Sequence, residues 1–194
     1  DIDGDTVEGV SSAVKSIRGV VWRITSEGTN ALTRKLTRRE FEMRIRQYYR
    51  DYHDTLARLL QQKRDRFGYV ILLCGHSMPS VGRAGHNDPN TTRADVVPGT
   101  RGRTSSAAEW IDRVDAIARG RGYSVLHDTP YRGGFSTMHY GRPLENVHAI
   151  QIELARRLYM DENTFTRNAR FDETRLFCRS VVRALGEPSG QKKL

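Results

Sequence analysis

The sequence predicts an α/β protein with a mixed, largely parallel sheet flanked by helices. Short apolar segments with the composition of buried strands alternate with segments whose apolar residues recur at helical spacing. Such alternation along a chain is typical of a parallel sheet that helices cover on its faces. A length of 194 residues is enough for one sizeable core, so we predict a single domain over residues 1–194.

The first predicted helix begins at a capping box, "TRRE", at residues 37–40. In this motif the Thr hydroxyl and the Glu carboxylate hydrogen-bond the backbone amides that a helix start leaves unpaired. Apolar and aromatic residues then recur every three or four positions, at Phe41, Ile45, Tyr48, Tyr52, Leu56 and Leu59. The spacing predicts an amphipathic helix of about seven turns that packs on a larger body.

The middle of the chain predicts a strand, a long loop and a second helix. The segment "RFGYVILLC" is typical of a buried strand that follows a helix-ending glycine, Gly68. Residues 79–104 are rich in Gly, Pro, Asn, Asp and Thr, which predicts a long functional loop. Ser106 and Glu109 have the spacing of a capping box and predict where the second helix begins.

The last third of the chain predicts two strands and a final helix. "YSVLH" indicates a short strand, and "RGGFSTMHYGRP" a glycine-punctuated loop or hairpin. "VHAIQIELA" alternates, with Ile150, Ile152 and Leu154 on one face of a predicted strand. Apolar residues at helical spacing then predict a last helix that ends at Gly186, before Pro188.

The composition excludes several classes of protein. No apolar run approaches the roughly 20 residues that cross a bilayer, and "DIDGDTVEGV" lacks the apolar core of a signal peptide. The two cysteines, Cys74 and Cys178, are too few for a disulfide framework, so we predict a cytoplasmic protein with reduced thiols. The net charge is +9, but the arginines are spread along the chain and only the tail "QKKL" is a basic cluster. Nucleic-acid binding, which would rest on this charge alone, is therefore the weakest of three functional hypotheses.

Three residues stand out as candidates for a site. His76 follows an apolar strand, where α/β sheets present their chemistry, although a tight turn would explain the same pattern. Glu153 lies within an apolar strand, and its carboxylate there needs a metal, a raised pKa or an ion pair; Arg156 and Arg157 are the candidates for that ion pair. Arg132 precedes two glycines, and its guanidinium can bind a carboxylate with two parallel hydrogen bonds.

Four separated blocks resemble the signature motifs of the N-formylglutamate amidohydrolases. They are "HSMPS", "ADVVPGTRGRTS", "PYRGGFSTMHYGRP" and "VHAIQIELARRLYMDE", in the family's order and spacing. The long-helix segment, with Tyr52 and His53, resembles the family's middle portion, so the resemblance extends from about Gly19 to Glu162. It implies a fold like that of the zinc carboxypeptidases and hydrolysis of a small anionic N-formyl amino acid, such as N-formylglutamate, to formate and the amino acid.

The resemblance also implies roles for individual residues. His76 would be a zinc ligand, and Glu153 the general base and acid. We assign Arg132 to the substrate carboxylate by chemical logic, with Arg101 and Arg103 as weaker candidates, and His139 as a residue that lines the pocket.

The sequence departs from the family pattern at three places. The block that supplies the family's earlier zinc ligands is not matched, and no histidine precedes His53, so we expect a domain that lacks an N-terminal segment or a degenerate member. Cys74 stands where the family usually has Asp, two residues before His76. Asp128 stands near a family Asn, and its charge would disfavour an anionic substrate unless an arginine pairs with it. A non-catalytic binding protein of the same fold is therefore the alternative hypothesis.

Overall fold

The computed structural model divides the chain into two compact units, Asp1–Leu59 and Leu60–Leu194. The parts of the chain that it describes are residues 6–9, 20–25, 28–84 and 86–187. The basic tail "QKKL" and Pro188 lie outside the described residues. The prediction of a single domain stays a prediction, and each unit is described by itself.

The long helix is confirmed, together with its cap. It consists of α1 (Arg38–Arg44), a π-helical segment (Ile45–Arg50) and α2 (Asp51–Phe67). The Glu40 amide donates to the Thr37 hydroxyl at 3.2 Å, and the Thr37 amide donates to the Glu40 carboxylate at 2.8 Å. The predicted burial of the apolar stripe is found in part, since Phe41, Ile45 and Leu56 are half-buried whereas Tyr48, Tyr52 and Leu59 are exposed.

Three strands form one mixed sheet in the second unit. They are β1 (Val70–Met78), β2 (Val96–Gly99) and β3 (Val147–Ala155). The order in the sheet is β1-β3-β2, with β1 parallel and β2 antiparallel to the central β3. The segment 79–104 is therefore not a loop throughout, since it contains β2, whose Val96 and Val97 are fully buried.

The main core lies on one face of this sheet. Ile150, Ile152 and Leu154 of β3 point into it, as their alternation predicts. They pack against α3 (Ala108–Gly120) and α5 (Phe171–Gly186). The buried residues that the two helices contribute are Trp110, Ile111, Val114, Ala118, Phe177, Val181 and Leu185.

Three local predictions are wrong. Ser106 does not cap α3, because the N-cap is Ala107 and the Ser106 hydroxyl bonds the Ala107 carbonyl instead. "YSVLH" forms only an isolated bridge between Val125 and Val96. The predicted loop or hairpin contains a short helix, α4 (Phe135–Tyr140), whose buried Thr137 and Tyr140 pack it on the sheet.

Two single-turn 3-10 helices, Pro143–Glu145 and Arg156–Leu158, flank β3. None of the helices in the described part of the chain is long and apolar enough to cross a membrane.

Candidate functional site

The second face of the sheet carries the polar residues. Side chains alternate between faces along a strand, so Gln151 and Glu153 point away from the main core. The parallel register places Cys74 opposite Gln151 and His76 opposite Glu153. Two predicted site residues 77 positions apart in the sequence are thereby brought together by one pair of strands.

Glu153 and His76 form the centre of the candidate site. Glu153 is 5% exposed, whereas the His76 side chain is 52% exposed because β1 lies at an edge of the sheet. His76 Nδ1 lies 3.9 Å from Glu153 Oε1, which is close enough for charge attraction but too long for a hydrogen bond. The imidazole belongs to the strand itself, since β1 continues to Met78, and not to the loop that the sequence predicted.

Burial raises the pKa of the Glu153 carboxyl, and the nearby His76 and the hydrogen bond from Gln151 offset only part of that rise. The predicted ion pair of Glu153 with Arg157 is not formed, because the Arg157 guanidinium pairs with Asp95 at 2.7 Å. The positive charge of Arg156 lowers the pKa of Glu153, but the two side chains form no ion pair among the described residues. The Glu153 carboxyl therefore holds a proton more readily than an exposed glutamate does.

Gln151 was not identified from the sequence. Its side-chain amide donates to Glu153 Oε1 at 3.0 Å, and its carbonyl oxygen accepts a hydrogen bond from the Gly134 amide at 2.9 Å. The available signal was its position two residues before Glu153, which assigns both side chains to one face of the strand.

Two arginines lie at one small cavity beside the loop that Gln151 anchors. The cavity has a volume of about 240 Å³, and its lining consists of Arg101, Thr104, Ser105, Arg132, Met138 and Gly141. Arg101 donates to the Gly133 carbonyl at 3.2 Å. The Arg132 guanidinium is exposed and has no hydrogen bond or ion pair within the described residues. The cavity therefore presents positive charge that the described residues do not neutralise.

The remaining predicted substrate residues lie elsewhere. Arg103 pairs with Asp112 at 2.5 Å and does not line this cavity. His139 is exposed on α4, where its ring stacks on Phe135 at 4.9 Å between centroids, and it does not line the cavity either.

Asp128 binds the backbone of residues 100–102. Its carboxylate accepts hydrogen bonds from the amides of Thr100, Arg101 and Gly102, at 2.7, 3.1 and 2.7 Å. The expected repulsion of an anionic substrate is reduced because three N–H groups hold this charge. Asp128 thus fixes the segment that carries Arg101.

Arg93 is a second residue that the sequence did not reveal. Its buried side chain pairs with Asp88 at 2.7 Å and donates to the Tyr131 hydroxyl at 3.3 Å. Its positive charge also lowers the pKa of Glu153. Arg93 lies in the segment predicted as a loop, and only the folded chain shows that its guanidinium is enclosed.

The described residues do not complete a metal site. They include no group of three or more His, Cys, Asp or Glu side chains that could hold a metal ion. His76 is the one predicted ligand, and a catalytic zinc ordinarily has three protein ligands. The side chains described here therefore do not by themselves fit zinc.

Together the mixed sheet, the buried carboxylate beside an imidazole and the arginine-lined cavity define a member of the α/β class with a polar site on one sheet face. The chain belongs to the N-formylglutamate amidohydrolase family, whose sequence model matches residues 2–160.

Relatives and solved structures agree with this assignment. N-formylglutamate deformylases of Pseudomonas putida and Pseudomonas aeruginosa are 34% and 35% identical to it over 122 and 141 residues, or 61% and 70% of this chain. The chain spans about half the length of these relatives, 43% and 50%. The crystal structure of N-formylglutamate amidohydrolase from Ralstonia eutropha JMP134 matches with a TM-score of 0.78 at 32% identity, over 96% of this chain and 70% of that one.

A gene product of Agrobacterium tumefaciens is similar in fold alone. The TM-score is 0.54 at 16% identity, over 78% of this chain and 56% of that one.

Proposed function

We propose that this protein hydrolyses the amide bond of an N-formyl amino acid, such as N-formylglutamate, and releases formate and the amino acid. Family membership and relatives named as deformylases support the reaction class. The observation that carries the proposal is the buried Glu153 carboxyl, 3.9 Å from His76 and linked through Gln151 to the loop of Arg132.

Glu153 would move the proton in this reaction. As a base it takes a proton from the water whose oxygen bonds to the formyl carbon, and as an acid it gives that proton to the nitrogen as the C–N bond breaks. Burial raises the pKa of Glu153, which makes its carboxylate a stronger base than an exposed one and favours its holding the proton until the nitrogen takes it.

Arg132 and Arg101 would bind the substrate carboxylates. A guanidinium binds a carboxylate through two parallel hydrogen bonds, and Arg132 has no competing partner among the described residues. The cavity of about 240 Å³ suits a small anion, and Asp128 holds the Arg101 segment in place. Arg103 and His139 belong to this proposal only if they move, since Arg103 pairs with Asp112 and neither lines the cavity.

Zinc stays a prediction, with His76 as its one expected ligand, because the described residues do not supply the three protein ligands that a catalytic zinc ordinarily has. The relation to zinc carboxypeptidases and the cytoplasmic location likewise stay predictions.

The test of function is formate release from N-formyl-L-glutamate by the purified protein. We expect Glu153→Gln to lower kcat by about 100- to 10,000-fold, because it removes the proton carrier. Arg132→Ala should mainly raise KM. Arg175→Ala, which removes an exposed arginine paired with Asp172 on α5, is the matched control and should leave both constants unchanged.

Two results would contradict the proposal. A protein that is folded and releases no formate, with or without added zinc, favours the non-catalytic alternative. Full activity in Glu153→Gln excludes Glu153 as the proton carrier.

The metal is tested separately, by elemental analysis after dialysis. About one zinc per chain in the wild type and in His127→Ala, whose histidine pairs with Asp115, together with its loss in His76→Ala, would identify His76 as a ligand. It would also mean that further residues of the protein complete the site. Equal metal content in the two variants would show that His76 is not a ligand.

A further inference from the structure

Gln151 joins the two parts of the candidate site. Its side-chain nitrogen donates to Glu153 Oε1 at 3.0 Å, and its side-chain oxygen accepts from the Gly134 amide at 2.9 Å. Both ends of one buried amide are thus used, one on the carboxyl and one on the loop that follows Arg132.

The hydrogen bond selects one oxygen of the Glu153 carboxyl. Oε1 accepts from Gln151 and is the oxygen nearest His76 Nδ1. Within the described residues, no hydrogen bond reaches Oε2. Because Oε1 accepts the hydrogen bond from Gln151, Oε2 is the oxygen that stays available for contact with the reacting atoms.

The same amide fixes the loop relative to the strand. Gly99 of β2 pairs with Gln151, and a Cβ at Gly99 would lie 2.6 Å from the Gly133 nitrogen, so the loop backbone rests directly on β2. The Arg101 amide adds a hydrogen bond to the Arg132 carbonyl at 3.0 Å. A shift of Gln151 would therefore move the loop of Arg132 as well as the carboxyl.

We propose that Gln151 is a positioning residue for the hydrolysis: it orients the Glu153 carboxyl so that Oε2 faces the reacting atoms, and it sets the distance from that carboxyl to the Arg132 loop. The inference rests on the proposed function. Holding reacting groups within about 1 Å of their productive positions can be worth about 100-fold in rate.

The test compares Gln151→Met with Gln151→Glu. Methionine keeps the approximate volume and loses both hydrogen bonds, so we expect kcat to fall on the order of 100-fold and KM to rise. Glutamate keeps an acceptor for the Gly134 amide but cannot donate to Glu153 when ionised. We therefore expect Gln151→Glu to lower kcat while KM stays near the wild-type value.

A matched control separates positioning from general loss of stability. Thr174→Val also removes a buried side-chain hydrogen bond, from Thr174 to the Leu158 carbonyl, on the helix that covers the opposite face. It should lower the melting temperature without changing kcat or KM.

Backbone and side-chain amide NMR spectra provide a measurement that does not need activity. In Gln151→Met the Gly134 amide signal should shift and exchange faster with solvent, and in Glu153→Ala the Gln151 side-chain amide signal should do so.

The outcomes distinguish the two proposals. An active wild type with an unchanged kcat in Gln151→Met overturns the positioning role and leaves the proposed function standing. An inactive wild type overturns the proposed function. If the NMR signals still shift in that case, the two hydrogen bonds of Gln151 stabilise the fold and the positioning role is overturned as well. Equal changes of kcat and KM in Gln151→Met and Gln151→Glu would contradict the separate roles of the two hydrogen bonds.

Discussion

At the scale of single residues, the fold determines what each charged group is used for. Glu153 and Asp128 are both carboxylates near the candidate site, yet they have opposite surroundings. Asp128 accepts three backbone N–H groups, whereas Glu153 is buried and receives one side-chain hydrogen bond. The backbone contacts of Asp128 hold a loop in place, whereas burial raises the pKa of Glu153, so that its carboxyl holds a proton more readily than an exposed one.

His148 is a buried histidine with a structural role. Its Nδ1 accepts a hydrogen bond from the Ala107 amide at 3.2 Å, so the ring is neutral at that nitrogen. Burial lowers its pKa below the ordinary value of about 6.5. The unfolded chain therefore binds more protons at this residue than the folded chain does, at any pH between the two pKa values.

This difference predicts a pH dependence of stability. The contribution of His148 is fully present above about pH 6.5 and is lost as the pH falls through the lower pKa of the folded state. His148→Asn keeps an acceptor near Nδ1 and does not titrate there. We expect the free energy of unfolding, measured with urea at pH 7.5 and 5.5, to fall less in this variant than in the wild type.

His139 gives the control for that measurement, because it is exposed on α4. His139→Asn should show the wild-type loss between the two pH values. An equal loss in all three proteins would mean that His148 does not titrate differently on folding.

At the scale of elements, the contact between β2 and the following loop builds the arginine cavity. Gly99 ends β2, and the backbone of residues 131–133 lies against it. Only a residue without Cβ permits this approach, since a Cβ would lie 2.6 Å from the Gly133 nitrogen. The Asp128 amide also donates to the Pro98 carbonyl at 3.0 Å, which holds the loop at the same strand end.

Gly99→Ala should therefore disturb substrate binding. The loop must move to make room, so we expect a loss of stability of about 1–3 kcal/mol. For the proposed substrate, N-formylglutamate, we expect KM to rise about tenfold or more. Urea unfolding and steady-state kinetics measure the two effects.

Gly120→Ala is the matched control, because a Cβ there meets open space at the end of α3. It should be neutral or stabilising by up to about 1 kcal/mol. If KM rises equally in both variants, the contact of the loop with Gly99 is not what determines substrate binding.

At the scale of the whole molecule, the main core packs the two long helices α3 and α5 of the second unit against the sheet. Phe177 is 1% exposed, and its ring meets Tyr123 edge-on at 5.3 Å between centroids. Trp110 belongs to the same core and Trp22 lies in the first unit. Trp110 can therefore report on the second unit alone once Trp22 is replaced by Phe.

We expect Phe177→Ala to destabilise the second unit by about 3–5 kcal/mol, because it leaves a cavity in this core. The measurement is urea unfolding followed by Trp110 fluorescence in the Trp22→Phe background. Leu176→Ala, on the exposed side of the same helix, should cost under about 1 kcal/mol. Similar midpoints for the two variants would show that Phe177 is not central to the core.

Several arginines also have a structural use at this scale. Arg93, Arg119 and Arg157 form ion pairs with Asp88, Asp115 and Asp95. Other guanidinium groups lie over aromatic rings, as Arg113 does over Trp110 at 4.5 Å. These arginines are thus part of the fold.

The sequence by itself determined the elements whose signals are local. The capping box at Thr37, the end of the long helix at Gly68, the alternation of β3 and the spacing of α5 each depend on residues a few positions apart. Local hydrogen bonds and side-chain periodicity produce these features, so a pattern in the chain is enough to predict them. The family motifs pointed to His76 and Glu153, and chemical logic to Arg132, as site residues whose roles stay predictions.

Only the tertiary structure decided how these residues meet. The pairing of β1 with β3 sets His76 opposite Glu153, and the approach of the 131–133 loop to Gly99 places Arg132 beside Arg101. The short strand β2 and helix α4 form where packing on β3 outweighs weak local preferences. These features depend on contacts between segments that are distant in the sequence, and no local pattern specifies the register at which such segments join.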